Sequence, residues 1–152
     1  MSPPLLKIDD LHTHFFLDEG VVRAVNGVNL EIPPGRTLAV VGESGCGKSV
    51  TAFSILRLIS EPGRIVSGEV VMNRSESEVA LTGLPEEGDV IREIRGKEIA
   101  MIFQEPMTSL SPVHTVGDQI IEAVLLHTDM DQAAALDHTI HMLERVGIPD
   151  AL

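Results

Sequence analysis

Residues 42–49 read Gly42-Glu43-Ser44-Gly45-Cys46-Gly47-Lys48-Ser49 and match the pattern G-x-x-x-x-G-K-[ST]. Glycines let such a loop curl tightly and point its backbone N–H groups inward. The apolar run at residues 37–41 is typical of a buried strand, and residues 50–59 are apolar nearly all round, as in a packed helix. Strand, glycine loop and helix in this order predict a phosphate-binding loop for a nucleoside triphosphate.

The chemistry of the loop assigns a role to each fixed position. The start of the helix adds its positive N-terminal end to the loop. Lys48 is expected to reach the β- and γ-phosphates, and the Ser49 hydroxyl to ligate Mg²⁺. Glu43 and Cys46 fill variable positions, so their side chains receive no catalytic role. The predicted ATP-binding set is therefore Gly42, Glu43, Ser44, Gly45, Cys46, Gly47, Lys48, Ser49 and Val50.

Composition limits the class of protein. With 152 residues, one domain is the default expectation. A net charge of −12 without any basic run argues against nucleic-acid binding, which needs clustered Lys and Arg. The apolar runs are too short for a membrane span, and the first residues lack the pattern of a signal peptide. The single Cys46 suits a reducing compartment, so we expect a cytoplasmic protein.

Residues 5–42 are expected to be rich in strands. Residues 5–8 with 11–17 and residues 21–32 form candidate strands, joined by a hairpin turn at residues 18–20. Pro33-Pro34-Gly35 then breaks the chain. Further strands are predicted at residues 65–72 and, from alternating apolar residues, at 98–103. The polar stretch at residues 73–96 is interpreted as a surface excursion with a short helix at 86–95.

The last part of the chain predicts two amphipathic helices. Residues 116–127 carry apolar residues at helical spacing. A second helix is expected to begin after Asp131 as N-cap and to end at Gly147 with Pro149. Its apolar stripe, interpreted as facing the core, consists of Leu136, Ile140, Leu143 and Val146.

Three stretches resemble the ATP-binding subunits of ABC transporters. They are residues 35–49, the Ser67-Gly68-Glu69 turn, and the phrase Met101-Ile102-Phe103-Gln104-Glu105-Pro106-Met107-Thr108-Ser109-Leu110-Ser111-Pro112. The phrase is most similar to the oligopeptide and dipeptide importer branch. The resemblance implies an α/β P-loop NTPase core of the ABC ATPase type, with an N-terminal antiparallel β region and the start of a helical subdomain. It assigns residues 1–104 to the core and 105–152 to the helical subdomain.

The resemblance also implies roles for single residues. Gln104 matches the Q-loop glutamine, which in the family contacts Mg²⁺ and the attacking water, so Lys48 and Gln104 are the expected catalytic residues. Phe15 matches the aromatic residue that stacks on adenine, and Phe16 remains a rival for that role. Val50 stands where the family commonly has Thr, which removes a hydroxyl near the α-phosphate.

The family implies an ATPase that uses ATP and Mg²⁺ and closes against a second ATP-binding subunit. Its implied place is the cytoplasmic face of the membrane, where the region after Gln104 meets the transmembrane permease subunits. Transport of peptides is expected by resemblance, and nickel or a glutathione-like peptide remains open as the solute. A small-molecule kinase is disfavoured, because Arg145 is the only Lys or Arg after Lys97 and lid arginines are needed.

The chain departs from the family after Pro106. It contains no Ser-Gly-Gly loop and no apolar strand that ends in paired carboxylates there. We therefore expect an incomplete domain, the N-terminal part of a longer subunit, that binds ATP without hydrolysing it efficiently. The alternative is a non-catalytic ATP-binding fragment or interaction module without transport activity. His138 and His141 lie three residues apart on a predicted helix, where a solvated face is favoured over a metal site.

Overall fold

The computed structural model describes residues 3–74, 77–104 and 110–148. The chain divides into two compact units, Met1–Arg95 and Gly96–Leu152. The domain boundary expected after Gln104 stays a prediction.

The first unit is built on a four-stranded antiparallel sheet, in which the first strand of the chain lies between the second and the third and the fourth pairs with the third. The expected hairpin, the Pro33 break and the strand near residues 65–72 are confirmed. The first strand buries Leu6 and Ile8 on one side and, after a break in the alternation, Leu11 and Thr13. The strands are β1 (Leu6–Leu17), β2 (Gly20–Ile32), β3 (Gly63–Asn73) and β4 (Glu78–Ala80).

The central strand β1 is interrupted by a bulge at Asp10. Where β1 pairs with β2, the register shifts between the β1 residues Ile8 and Leu11. Asp10, which lies between them, has a left-handed φ of 47°. The backbone of Gly68 in β3 lies so close to Asp10 that a Cβ at this glycine would meet the Asp10 carbonyl. The bulge therefore depends on a glycine in the neighbouring strand.

The expected buried strand at residues 37–41 is not formed. All five residues are exposed, and the side chain of Val41 is 89% exposed. An apolar run becomes a strand only when a neighbour accepts its N–H groups and donates to its carbonyls. The four strands of the described sheet pair with one another and leave this run without a ladder.

The helix after the loop, α1 (Lys48–Ile55), is shorter than the predicted 50–59. Its end is a Schellman motif, in which Arg57 N–H donates to Ser54 O at 3.2 Å and Leu58 N–H to Phe53 O at 2.9 Å. Arg57 has a φ of 55° at the position that glycine usually fills. No sequence signal marks this stop, because the residue is not glycine.

The polar stretch before the second unit is more structured than a surface excursion. It contains β4, a 3-10 helix (Leu81–Gly83) and α2 (Asp89–Lys97). Leu81, Ile91 and Ile94 are fully buried. The predicted short helix is thus confirmed with shifted ends, whereas the assignment of the whole stretch to the surface is wrong.

The second unit contains the two expected helices, α3 (Val116–His127) and α4 (Gln132–Arg145). Asp131 caps α4 through its side chain, and Gly147, with a φ of 85°, closes it in a Schellman motif. Pro149 lies outside the described residues.

The core-facing stripe predicted for α4 is partly wrong. Ala135 and Thr139 are the buried residues of this helix, whereas Leu136 and Val146 are exposed. Small side chains let helices approach closely, and helix α3 packs against α4. Thr139 tolerates burial because its hydroxyl donates to Ala135 O at 2.8 Å.

The strand expected at residues 98–103 is also absent. Ile99 takes part in an isolated bridge, and residues 100–103 have no regular secondary structure. The side chain of Ile102 is 95% exposed. Alternating apolar residues again predicted a strand without showing that a partner strand lies beside it.

Candidate nucleotide-binding site

A tight turn leads the chain out of β2 toward the loop. Arg36 N–H donates to Pro33 O at 3.3 Å, and Gly35 has a φ of 65°, as a type II turn requires. The loop itself then turns at Gly45, where the φ is 81° and Cys46 N–H donates to Glu43 O at 3.4 Å. Glycines thus stand at the positions where the backbone turns.

The side chain of Lys48 folds back over the loop. Its ammonium donates to Gly42 O at 2.8 Å and to Glu43 O at 2.7 Å, and lies 3.4 Å from the Cys46 Sγ. The structure therefore brings Gly42, Glu43, Cys46 and Lys48 together. A single positive charge is held above the loop by the carbonyl oxygens of the loop itself.

Gly47 joins the loop to the sheet. It is the N-cap of α1 with a φ of 92°, and a Cβ there would collide with the carbonyl oxygen of Ala24 in β2. The side chain of Val25 is the next neighbour. The residue at this position must therefore be glycine for both reasons, backbone conformation and space.

Helix α1 begins without a side-chain cap. In this described part of the chain, no side chain accepts from its first N–H groups, and its first turn contains no acidic residue. By contrast, Thr115 caps α3 and Asp131 caps α4. The free N–H groups and the helix dipole make the start of α1 a favourable place for an anion.

The remaining loop residues are mostly open to solvent. Ser44 and Ser49 are exposed, and Val50 is half-buried. The next residue, Thr51, does carry a hydroxyl, but it donates to Gly47 O at 3.0 Å inside the helix. It therefore does not replace the hydroxyl that Val50 lacks.

A buried pair of hydroxyls ties α1 to the sheet. Thr13 Oγ1 and Ser54 Oγ lie 2.8 Å apart, and both residues are fully buried. Because the Ser54 hydroxyl donates to Val50 O at 2.7 Å, Thr13 is the donor in this pair. Sequence reasoning missed this contact, and only the alternation that places Thr13 on the buried side could have suggested it.

Arg95 stabilises the other end of α1. Its guanidinium donates to Leu56 O at 2.9 Å and to Arg57 O at 2.8 Å. These carbonyls lie just past the helix end, where a cation interacts favourably with the dipole. This contact spans 39 residues of sequence and carried no local signal.

The two candidate adenine-stacking residues lie in different surroundings. Phe15 packs over Gly63 of β3, where a Cβ would come within 2.6 Å of its Cε1 atom and within 2.8 Å of Ile59 Cγ2. The ring of Phe16 is partly exposed, and the Arg64 guanidinium lies 4.1 Å from its centroid. Phe15 is thus half-buried, whereas Phe16 is already engaged with a cation.

Gln104 belongs to the second unit and is exposed. The loop lies in the first unit, and the joint role expected for Lys48 and Gln104 stays a prediction. Residues 105–109, which carry the middle of the phrase beginning at Met101, lie outside the described residues.

The histidines do not form a metal site in the described residues. No group of three or more His, Cys, Asp or Glu side chains there is arranged to hold a metal ion. His138 and His141 are exposed on α4. Among the described helices, none is long and apolar enough to cross a membrane.

The chain is similar in sequence to ATP-binding proteins of transport systems. The chain is 52% identical over 147 residues to a probable peptide ABC transporter ATP-binding protein of Sinorhizobium fredii, covering 96% of this chain and 42% of that protein. It is 40% identical over 147 residues to the glutathione import ATP-binding protein GsiA of Shigella dysenteriae, covering 97% of this chain and 24% of that protein. The chain thus spans less than half the length of these relatives.

The fold is similar to that of a solved dimeric ATP-binding cassette in a post-hydrolysis state bound to ADP and Pi. The TM-score is 0.76 at 22% identity, and the match covers 91% of this chain and 56% of that chain. This likeness confirms the expected α/β fold of the ABC ATPase type. The profile of the ABC transporter family matches residues 25–152. The chain therefore belongs to the ABC transporter family.

Proposed function

We propose that this chain supplies the ATP-binding loop of the nucleotide-binding subunit of an ABC importer. The observation that carries the proposal is the pairing of two positive features. The Lys48 ammonium is held over the loop, and α1 begins beside it without a cap or an acidic residue. A triphosphate can replace the two carbonyl oxygens as partner of Lys48 and accept from the free N–H groups of the helix.

Magnesium fits the oxygen donors that this chain offers. The exposed Ser49 hydroxyl follows Lys48 directly, and a hydroxyl together with phosphate oxygens suits Mg²⁺. We assign Ser49 and Gln104 as Mg²⁺ ligands, as the resemblance to the family implies. When bound, the ion neutralises charge on the β- and γ-phosphates.

We assign Phe15 to the adenine ring, with Phe16 as the alternative. The support for Phe15 is that Arg64 already covers Phe16, whereas Phe15 is held in place by packing over Gly63. Alanine substitutions at the two positions distinguish them. Only loss of the stacking ring is expected to reduce the preference of the site for ATP over inorganic triphosphate, which has no adenine. A loss of that preference in Phe16→Ala alone would move the assignment to Phe16.

The activity of the whole subunit is part of the proposal. We propose that it acts with a second ATP-binding subunit and with transmembrane permease subunits, which it meets through the region after Gln104. It would lie at the cytoplasmic face of the membrane and drive uptake of a peptide or a related small solute. The support is the naming of the relatives, which includes peptide and glutathione import.

We further propose that these 152 residues bind Mg-ATP without efficient turnover. Fast phosphoryl transfer depends on positioned groups around the attacking water. The Ser-Gly-Gly loop and the paired carboxylates that the family uses do not occur after Pro106. The alternative, an ATP-binding or interaction module with no part in transport, predicts the same low turnover but no association with permease subunits.

Replacement of Lys48 tests the nucleotide site directly. Lys48→Ala is expected to weaken Mg-ATP binding by about tenfold to a hundredfold, because a charge-assisted hydrogen bond to phosphate is lost. Isothermal titration calorimetry on the chain measures the affinity, and circular dichroism checks that the fold is kept. Lys7→Ala is the matched control, since the half-buried Lys7 lies on β1 and its ammonium pairs with Asp9. Equal ATP affinity in Lys48→Ala and the unsubstituted chain would reject the site.

A further inference from the structure

The segment before α3 is held by the side chain of one residue of that helix. Gln119 Oε1 accepts from Ser111 N–H at 2.8 Å. Its Nε2 group lies 3.2 Å from Ser111 O, 3.2 Å from His114 O and 3.3 Å from Thr115 O. One amide group therefore satisfies four backbone groups of a non-repetitive segment.

The hydrogen-bond pattern admits one orientation of the amide. With Oε1 and Nε2 exchanged, an NH₂ group would face the Ser111 N–H and an oxygen would face three carbonyl oxygens. The NH₂ group has two hydrogens for three acceptors, so at least one hydrogen is shared. Gln119 thus acts toward Ser111 as a neighbouring strand would, with one donor and one acceptor.

Two further contacts stiffen the same segment. Ser111 Oγ and His114 Nδ1 lie 2.9 Å apart. Thr115 caps α3 by accepting from Asp118 N–H at 3.1 Å, and its hydroxyl donates to the Asp118 carboxylate at 2.7 Å. All of these bonds are internal to residues 111–119. The segment is therefore ordered by its own side chains, together with the first turns of α3.

Apolar side chains on this segment point into solvent. Val113 is 82% exposed, and Leu110 and Val116 are also exposed. Exposed apolar residues on a loop are costly to keep in a single conformation unless the backbone is fixed by other bonds. A fixed backbone that displays apolar residues lowers the entropy lost on binding a partner.

We propose that Gln119 is the positioning residue of the permease-facing segment, holding the backbone of Ser111–Thr115 so that Val113 is presented in one conformation. The clamp itself rests on the contacts above. Its link to the permease rests on the proposed function, in which the region after Gln104 meets the membrane subunits. Gln119 contacts neither nucleotide nor solute in this proposal.

Hydrogen exchange on the full chain tests the clamp. In Gln119→Ala, the amide of Ser111 is expected to exchange about fivefold to tenfold faster, because it loses its acceptor. Gln119→Glu keeps an acceptor for Ser111 but loses the donor to the three carbonyls, so an intermediate rate is expected. Gln132→Ala is the control, since Gln132 is exposed in the first turn of α4. An unchanged rate in Gln119→Ala would overturn the clamp.

Association with membranes tests the positioning role. Vesicles that carry the permease subunits of the same transporter are mixed with each variant and sedimented. Gln119→Ala is expected to bind these vesicles about twofold to tenfold more weakly, because the segment must then be ordered on binding. Its affinity for Mg-ATP is expected to be unchanged. Faster exchange with unchanged association would overturn the positioning role. Failure of the unsubstituted chain to associate would overturn the permease assignment, whereas the Lys48→Ala result reports on the nucleotide site separately.

Discussion

The strands of the antiparallel sheet and the run at residues 37–41 are both apolar in sequence, but only the former are paired and contribute buried residues. In the sheet, Val70 is fully buried and pairs with Ile8. In the run before the loop, Val41 is 89% exposed and belongs to no ladder. The difference teaches that side-chain character alone does not make a strand. The hairpin supplies its own partner nearby in sequence, whereas the run before the loop has no described strand beside it.

The loop nevertheless has a defined shape, because other contacts replace the missing ladder. Gly47 packs on the backbone of Ala24, and Ser54 is bonded to Thr13. The ammonium of Lys48 bonds to the loop carbonyls. The candidate nucleotide site thus depends on the sheet through a few close contacts at the start of α1 and along it.

The largest expected effect on stability comes from adding a side chain at Gly47, where the loop lies against the sheet. Gly47→Ala is expected to destabilise the chain by about 2–4 kcal/mol, from a left-handed alanine and a collision with Ala24 O. Urea unfolding gives the stability, and calorimetry should show weaker Mg-ATP binding. Gly45→Ala is the control, because its φ is 81° but nothing lies within 4 Å of the added Cβ. It should cost about 1 kcal/mol. Equal costs at the two glycines would show that the contact with Ala24 does not hold the loop.

A pair of valines measures the contrast between the sheet and the run. Val70→Ala is expected to cost about 2 kcal/mol, since two buried methyl groups are removed and a cavity remains. Val41→Ala should lie within about 0.5 kcal/mol of the unsubstituted chain, as an exposed side chain does. The midpoint of urea unfolding distinguishes them. A cost at Val41 as large as that at Val70 would mean that residues 37–41 are buried in solution.

The smallest effect concerns the bond between the sheet and α1. Thr13→Val should cost about 1 kcal/mol, because one buried hydrogen bond is lost while the Ser54 hydroxyl keeps Val50 O as its acceptor. Thr37→Val, at an exposed position, is the control. Thermal unfolding resolves a difference of this size. Mg-ATP affinity in Thr13→Val equal to that of Thr37→Val would limit the hydroxyl pair to a role in stability.

Local signals predicted a large part of the fold. The hairpin, both helices of the second unit, the Asp131 cap and the Gly147 stop follow from short patterns whose partners lie within a few residues. The end of α1 escaped prediction because Arg57 stands where glycine is usual. The bonds from Arg95 that stabilise this end come from 38 and 39 residues away.

For the candidate site, the sequence predicted the loop and a role for Lys48, but not the contacts that hold the loop in place. The spacing of glycines, Lys48 and Ser49 is enough to predict a phosphate loop, because backbone N–H groups and one charge supply its chemistry. The contacts of Gly47 with Ala24 and of Thr13 with Ser54 join residues 23 and 41 positions apart. No local pattern indicates such pairs.

By itself, the sequence determined the loop, the turns, the caps and the family, because each depends on residue type at short and regular spacing. Only the tertiary structure decided which apolar runs become strands and which helix face is buried. Ala135 and Thr139, and not Leu136, are covered on α4. The physical reason is that burial and strand pairing belong to two elements at once, and the sequence of one element does not reveal its partner.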